Sequence, residues 1–210
     1  MLASVVTLVN NKQLYNDMVV SSLPPKLFEL IPVFDAVSAT RGLNGGIRKA
    51  QSDLIIMCHQ DVSFPPEWPV TLEKQLSMLK APIGVVGTFG RDLRLNCAGN
   101  IWNPYPCRRA AGQLPCKALT LDEHCLIIFK SSGLRFDESL TQFHFYGGDL
   151  CLTALESGLV NYVIDSELNH LSPTGTFDKS FEGARDWFIK KWRGKTKYKT
   201  FRMMPCEVSL

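Results

Sequence analysis

The feature that most constrains the fold is an alternation, over the first 90 residues, of short apolar runs with segments of helical spacing. Four runs predict strands: Ser4–Val9, Glu29–Val37, Asp53–Cys58 and Ile83–Phe89. The segments between them predict helices: Lys12–Ser22, a short one over Ile47–Gln51, and about Glu67–Lys80. Nearly continuous apolar strands separated by helices are typical of a parallel sheet covered on both faces. We therefore predict an α/β fold built on a mostly parallel, twisted sheet.

Residues 90–118 interrupt this alternation with three glycines and three prolines. An irregular segment of this length in a compact domain is usually functional, and we expect an excursion over the sheet with a short hairpin. Regular structure is predicted again over Leu121–Lys130. A helix is predicted from Gly147 to about Ser157, followed by a last strand over Asn161–Ile164.

Composition excludes several classes of protein. The 210 residues are 45% hydrophobic and 20% charged, which argues against a disordered chain, a collagen or a coiled coil. No apolar run approaches the ~20 residues of a membrane-spanning helix. The apolar start, Met1–Val9, has no basic region before it and no small-residue cleavage site after it, so we expect a buried strand rather than a signal peptide. The seven cysteines contain no closely spaced pair, and a reducing cytoplasm is the default expectation.

Charge is concentrated near the end of the chain. Residues 179–202 hold nine Lys or Arg against two acids, and the remainder is mildly acidic. An acidic body argues against nucleic-acid binding. We divide the chain into a main domain, residues 1–178, and a basic amphipathic helix with a tail, residues 179–210. An apolar helical face, formed by Phe181, Ala184, Phe188 and Trp192, indicates either a surface helix docked on the domain or a contact with an anionic membrane.

Polar residues lie at or near the ends of several predicted strands. They are Asn10 and Asn11, Asp35, and the segment His59–Asp61. Open parallel sheets bind ligands at the carboxyl ends of their strands. An aspartate in such a place is usually a turn residue or a helix cap, but Pro65–Pro66 separate Asp61 from the next helix. A carboxylate there suits Mg²⁺ or Mn²⁺, which can hold a diphosphate.

Three further patterns each allow two interpretations. The glycine-rich stretch Thr40–Gly46 predicts a tight turn, which either is structural or cradles phosphate with its backbone N–H groups. Asp149 is either a first-turn acid of its helix or a general base aimed into a cleft. His170, after the last strand, is either structural or a metal ligand.

These segments together resemble the GT-A-fold, family-2-like glycosyltransferases. The resemblance covers about residues 3–175, and its His-Gln-Asp-Val strand end resembles a bacterial branch of the group. It is carried by four segments in order: Ser4-Val-Val-Thr-Leu-Val-Asn-Asn, Ala39-Thr-Arg-Gly-Leu-Asn-Gly-Gly-Ile47, His59-Gln-Asp-Val62 and Tyr146-Gly-Gly-Asp-Leu150.

The resemblance implies roles for individual residues. Binding of a UDP- or GDP-linked sugar and its acceptor is implied for Asn10, Asp35, Arg41, Asn44, Gln60, Asp122 and Glu123. Asp61 and His170 are implied to hold Mn²⁺ or Mg²⁺, with His59 as a further candidate ligand. Asp149 matches the base that deprotonates the acceptor hydroxyl. The implied activity is inverting transfer of the sugar to a glycan or a lipid-linked acceptor.

Two departures from the family pattern leave an alternative open. His59 stands where the first acid of the Asp-x-Asp metal motif is usual, and Gly148 replaces a glutamate before the implied base. The alternative is therefore a catalytically degenerate protein that binds nucleotide-sugar or assembles with an active partner. The chain is close to the minimum size for this fold, so we expect its acceptor side to need a partner subunit, such as a second copy, or the inner face of a membrane.

Overall fold

A computed structural model describes residues 1–80, 82–100, 112–171, 179–202 and 206–210. Five helices are numbered in chain order: α1 (Lys12–Tyr15, continued by a π-helical turn over Asn16–Val20), α2 (Ala39–Lys49), α3 (Trp68–Ser77), α4 (Tyr146–Glu156) and α5 (Lys179–Trp192). The strands are β1 (Ala3–Val9), β2 (Phe28–Phe34), β3 (Leu54–Cys58), β4 (Val62–Ser63), β5 (Ile83–Gly87), β6 (Phe89–Asp92), β7 (Cys97–Gly99), β8 (Cys116–Leu121), β9 (Cys125–Phe129), β10 (Val160–Val163), β11 (Asn169–His170), β12 (Thr200–Arg202) and β13 (Glu207–Ser209).

Nine strands form a central sheet in the order β2-β1-β3-β9-β5-β10-β8-β6-β7. β1 pairs in parallel with β2 and β3, and β5 pairs in parallel with β10. β9 lies between β3 and β5 and is antiparallel to both. β2, β1, β3, β5 and β10 therefore run in one direction, which confirms the mostly parallel sheet predicted from the sequence, with antiparallel strands inserted in it. Pro32 is tolerated in β2 because β2 is an edge strand.

Helices cover both faces of the sheet. Successive side chains of the central strands point to opposite faces, and on each face they join a separate buried cluster with the helices. Val6, Met57 and Leu126 join the cluster under α2, α4 and α5. Val5 and Ile56 point to the other face, where α1 and α3 pack. This alternation explains the continuous apolar runs, since both sides of each central strand are buried.

The prediction of a glycine-rich turn over Thr40–Gly46 is wrong, because these residues lie inside α2. The helix begins at Ser38, whose Oγ accepts a hydrogen bond from the Arg41 N–H at 3.3 Å. A Cβ at Gly46 would lie 2.2 Å from Val6 Cγ1, and one at Gly42 would lie 2.6 Å from Leu8 Cδ2. The glycines therefore let α2 approach β1 closely. Because these residues are helical, they do not form the loop whose backbone N–H groups could have bound phosphate.

The last helix is docked on the domain by its apolar face. Phe181, Ala184, Phe188 and Trp192 are buried in the same cluster as α4. Phe201 in β12 follows them into this core, with its ring centroid 5.1 Å from that of Phe188. The aromatic face is therefore buried within the protein and is not free for a membrane contact.

The irregular segment contains the expected hairpin, since β6 pairs antiparallel with β7. The stretch 101–111 lies outside the described residues. In the parts of the chain that are described, no helix has both the length and the apolar character needed to cross a bilayer.

Candidate active site at the carboxyl edge of the sheet

A cavity of about 350 Å³ opens where β1, β2 and β3 end. Its position is the one at which open α/β sheets bind ligands. Polar residues from several chain segments line it together: Asn10, Asp35, His59, Gln60, Asp61, Glu123 and Tyr146.

Two histidines and an aspartate meet beside this cavity. His59 and Asp61 lie between β3 and β4, and His170 reaches them because β11 pairs antiparallel with β4. The His170 Nε2 atom is 3.4 Å from His59 Nδ1 and 3.4 Å from Asp61 Oδ1. One ligand atom from each residue lies within 4.8 Å of the other two, which is a spacing that one metal ion can bridge.

The ionisation of the cluster suits a metal ion. Burial lowers the pKa of His59 to about 4, and the neighbouring His170 adds to this effect, so the His59 ring is neutral at pH 7. Burial by itself would raise the pKa of Asp61, but the hydrogen bond and charge of His170 outweigh it and the pKa is lowered. Two imidazole nitrogens and a carboxylate are a donor set for a divalent ion.

Tyr146 fixes the orientation of the His59 ring. Its hydroxyl lies 3.1 Å from His59 Nε2 and donates to the Glu123 carbonyl oxygen at 3.5 Å. If the Tyr146 proton is used there, the hydroxyl accepts from a His59 Nε2–H. The lone pair of His59 Nδ1 then faces the cluster, as a metal ligand requires.

Asp122 supports the cluster from behind rather than facing the cavity. Its Oδ1 lies 2.8 Å from His124 Nδ1, and the His124 ring stacks on His170 with centroids 5.5 Å apart. Burial acts to raise the pKa of Asp122, but the hydrogen bond and charge of His124 hold it well below its usual range. His124 Nε2 lies 2.8 Å from Thr88 Oγ1, which completes the pairing of this buried ring. Neither Tyr146 nor His124 was assigned a role from the sequence, and no local pattern marks them.

Glu123 lines the cavity and is held by the start of α4. Its Oε1 accepts a hydrogen bond from the Gly147 N–H at 2.8 Å. Burial raises the pKa of Glu123 to about 8. The hydrogen bond from Gly147 acts to lower this pKa, and the charge of the adjacent Asp122 acts to raise it. Glu123 is therefore a carboxyl group that exchanges protons near neutral pH.

The other predicted binding residues at the cavity are Asn10, Gln60 and Asp35. Gln60 Oε1 accepts from the backbone N–H groups of Asn10 and Asn11 at 3.1 and 2.9 Å. The Gln60 side chain thus fixes the turn that forms one wall. Asp35 adopts a left-handed backbone with φ 51°, a strained conformation that is often found at functional sites.

Arg41 and Asn44, which were predicted to contact the nucleotide-sugar, lie outside the cavity lining. Arg41 is exposed, with its Nε 4.0 Å from Glu138 Oε2. Asn44 is buried and joins α2 to the segment before α4, donating to the Phe136 carbonyl at 2.9 Å and accepting from the Phe136 N–H at 3.0 Å. The burial and hydrogen bonds of Asn44 indicate a structural role.

Asp149, the predicted base, is also outside the cavity lining. It is 2% exposed, and its Oδ1 accepts from the Trp192 Nε1–H at 2.8 Å. Lys191 Nζ lies 2.7 Å from the same oxygen and also donates to Asp137 at 2.8 Å. Burial raises the pKa of Asp149 although Lys191 opposes this. Its partners lie on α5, so its contacts are those of a carboxylate that holds this helix in place.

Sequence comparisons do not assign the chain to a family. No known protein-family profile matches it. A curated protein of Fuscovulum blasticum, described as "ATP synthase subunits region ORF 6", is 28% identical over 148 residues. The match covers 66% of this chain and 59% of that protein.

Solved structures with the same fold include proteins that hold a nucleotide-sugar. S. aureus TarS residues 1–349, in complex with UDP-GlcNAc, superposes with a TM-score of 0.60 at 11% identity, over 91% of this chain and 66% of that one. The mannosyltransferase PcManGT of Pyrobaculum calidifontis, in complex with GDP-Man and Mn²⁺, has a TM-score of 0.53 at 14% identity, over 90% of this chain and 60% of that one. The chain therefore spans less than two thirds of each of these structures, and the predicted GT-A-type fold is confirmed.

Proposed function

We propose that the chain binds a nucleoside-diphosphate sugar in this cavity and transfers the sugar to an acceptor hydroxyl. The observation that carries the proposal is the cluster of His59, Asp61 and His170 at the carboxyl edge of the sheet. The fold it shares with enzymes that hold UDP-GlcNAc or GDP-Man supports it.

The ligand atoms of His59, Asp61 and His170, two nitrogens and an oxygen, favour some divalent ions over others. Imidazole nitrogen is a poor ligand for Mg²⁺, which prefers oxygen, whereas Mn²⁺ accepts both. We therefore propose Mn²⁺ rather than Mg²⁺. When bound, the ion would supply positive charge that offsets the charge developing on the departing diphosphate.

The protein's own residues orient the site. Tyr146 contacts His59 Nε2 and orients its ring, while Asp122 and His124 support His170 through the stacked ring. Gln60 holds the Asn10 turn at the cavity wall, and binding of both substrates in one orientation supplies part of the rate.

The proposal includes the finer expectations from the sequence. These are membership of the family-2-like group with the bacterial strand end, inversion at the sugar carbon, and a UDP- or GDP-linked hexose. They also include a glycan or lipid-linked acceptor and a location in the cytoplasm, at the inner face of the membrane. The alternative is a degenerate protein that binds the donor without turnover, and the enclosure of Asp149 by Lys191 and Trp192 favours it. Release of UDP from UDP-GlcNAc, or GDP from GDP-mannose, separates the two.

Binding is tested by thermal shift with UDP and GDP, each with Mn²⁺, with Mg²⁺ or with EDTA. A ligand at 100 times its Kd adds about 2.7 kcal/mol to the free energy of unfolding, which is readily measured. We expect Mn²⁺ with one nucleotide to raise the Tm, and Asp61→Ala to remove this increase while retaining the cooperative unfolding of the apoprotein. Asp186→Ala, at a side chain that is 70% exposed on α5, is the matched control. Equal shifts in wild type and Asp61→Ala, or none with either nucleotide, would refute the proposal.

A further inference from the structure

We infer that Glu123, and not Asp149, is the catalytic residue that accepts the proton of the attacking hydroxyl in this cavity. The inference rests on the proposed transfer reaction and adds to it the identity of the base. It follows from where the two carboxyl groups lie relative to the cavity and from what each contacts.

Glu123 is placed beside the metal-binding cluster. It lies in the turn between β8 and β9, at the same edge of the sheet as His59 and Asp61, and lines the same cavity. Its carbonyl oxygen is 3.5 Å from the Tyr146 hydroxyl, which contacts His59. A carboxyl group in this position can reach a substrate whose diphosphate is held at the cluster.

The start of α4 provides the space and the hydrogen bond that hold Glu123. A Cβ at Gly147 would lie 2.7 Å from Glu123 Cγ, so any larger residue there would displace the glutamate. The missing side chain leaves the Gly147 N–H open to bind Glu123 Oε1 at 2.8 Å. The first glycine of the Tyr146-Gly-Gly-Asp segment is thus explained by the position of Glu123.

The charges around Glu123 are consistent with a base that works near neutral pH. Asp122 is its neighbour in the same turn, Tyr146 and Cys151 face it from α4, and Cys206 faces it from the segment before β13. Each of these groups is neutral or negative, so none neutralises the carboxylate as Lys191 does for Asp149. The raised pKa, about 8, makes the deprotonated fraction increase from pH 6 to pH 9.

The step is balanced as follows. The acceptor oxygen forms a bond to the anomeric carbon while the bond from that carbon to the phosphate oxygen breaks, and the bonding electron pair leaves with the diphosphate. The hydroxyl proton passes to the Glu123 carboxylate and then to solvent. With water as acceptor, the same step hydrolyses the donor.

The test measures release of UDP from UDP-GlcNAc and of GDP from GDP-mannose with Mn²⁺, using water as acceptor. Glu123→Gln keeps an oxygen that can accept from the Gly147 N–H, but it cannot take a proton. We expect the rate to fall by roughly 10²–10⁴-fold, with the nucleotide thermal shift unchanged. Glu123→Asp, which keeps a carboxylate, should recover part of the rate, whereas Asp149→Asn should keep most of it. The wild-type rate should rise with pH through about 8.

The outcomes distinguish this inference from its premise. Full activity in Glu123→Gln, or loss of activity in a stably folded Asp149→Asn, overturns the assignment of the base. A wild-type protein that binds nucleotide with Mn²⁺ but releases none from either donor at any pH refutes the proposed transfer reaction, and the inference falls with it. Absence of any Mn²⁺-dependent nucleotide shift in wild type refutes the proposed function itself, and the inference with it.

Discussion

Lys191→Met should destabilise the protein substantially, because Lys191 neutralises a buried carboxylate. Its Nζ lies 2.7 Å from Asp149 Oδ1, and the Asp149 side chain is only 3% exposed. Removing one partner of a buried ion pair costs about 3–5 kcal/mol. Lys191 is 24% exposed and Trp192 still donates to Asp149, so we expect the low end, about 3 kcal/mol. Methionine keeps the unbranched stem that packs beside the rings of Trp187 and Trp192.

The loss should depend on pH, in a direction fixed by the two carboxylates that Lys191 contacts. Burial acts to raise the pKa of Asp137, but the Lys191 hydrogen bond is among the contacts that lower it to about 2. The lowered pKa of Asp137 stabilises the wild-type protein above pH 4, and this stabilisation is lost on further acidification. Burial already raises the pKa of Asp149, and without Lys191 it should rise further. The variant therefore regains stability as Asp149 binds a proton. Protonation of Asp149 in the variant makes the difference between wild type and variant smaller as the pH falls from 7 to 4, and the loss of the Asp137 contribution reduces it further below about pH 4.

Urea denaturation followed by circular dichroism at pH 7 and pH 4 measures this difference. Lys190→Met is the matched control, since Lys190 is exposed on the same helix and should change stability by less than about 0.5 kcal/mol. In a double-mutant cycle with Asp149→Asn, the coupling energy should be about 1–3 kcal/mol. A loss at pH 7 equal to that of the control, or a loss independent of pH, would refute the reasoning.

Two further predictions concern packing and surface charge. Gly46→Ala should lower the free energy of unfolding, measured by urea denaturation, by about 1–3 kcal/mol, because the added Cβ would lie 2.2 Å from Val6 Cγ1. The control is Gly45→Ala, whose Cβ would lie 3.7 Å from Arg48 Nη2 and which should leave stability unchanged or raise it. Similar effects at both positions would contradict the packing argument. Binding to phosphatidylglycerol vesicles at low salt should depend on the exposed basic residues after α5, each of which contributes about 1 kcal/mol. Co-sedimentation should therefore be lost when Lys195, Lys197 and Lys199 are all replaced by Glu, and it should be unchanged in Asp186→Ala. If the wild-type protein itself stays in the supernatant, the membrane contact does not exist. Truncation after Arg193 is an unsuitable test, since it would remove Phe201 from the core.

Features set by local chemistry were predictable from the sequence. Strands buried on both faces, such as β1 and β3, appear as continuous apolar runs, and polar residues after them mark the edge where ligands bind. Asp61 and His170, both predicted at strand ends, lie together although 109 positions separate them, because β11 pairs with β4 next to Asp61. His59, a further candidate ligand in the prediction, lies in the same cluster.

Features set by contacts between distant segments were not predictable in the same way. The glycines of α2 indicated a turn because their helical use depends on Val6 and Leu8, which lie on another element. The position of Asp149 at a helix start fitted a base, but its environment is determined by Lys191 and Trp192 on α5. The contact between Tyr146 and His59 likewise joins residues that no sequence spacing connects.

The insertion of β9 between β3 and β5 has a consequence for how the chain folds during synthesis. β3 ends at Cys58, but the strand that covers its open edge begins at Cys125, 67 positions later. At roughly 5–20 residues per second, a ribosome needs several seconds to supply it. Until then, an apolar strand edge is available for pairing with other chains. We therefore expect the nascent protein to depend on chaperone protection in this interval, and fragments that end before Cys125 to aggregate rather than fold.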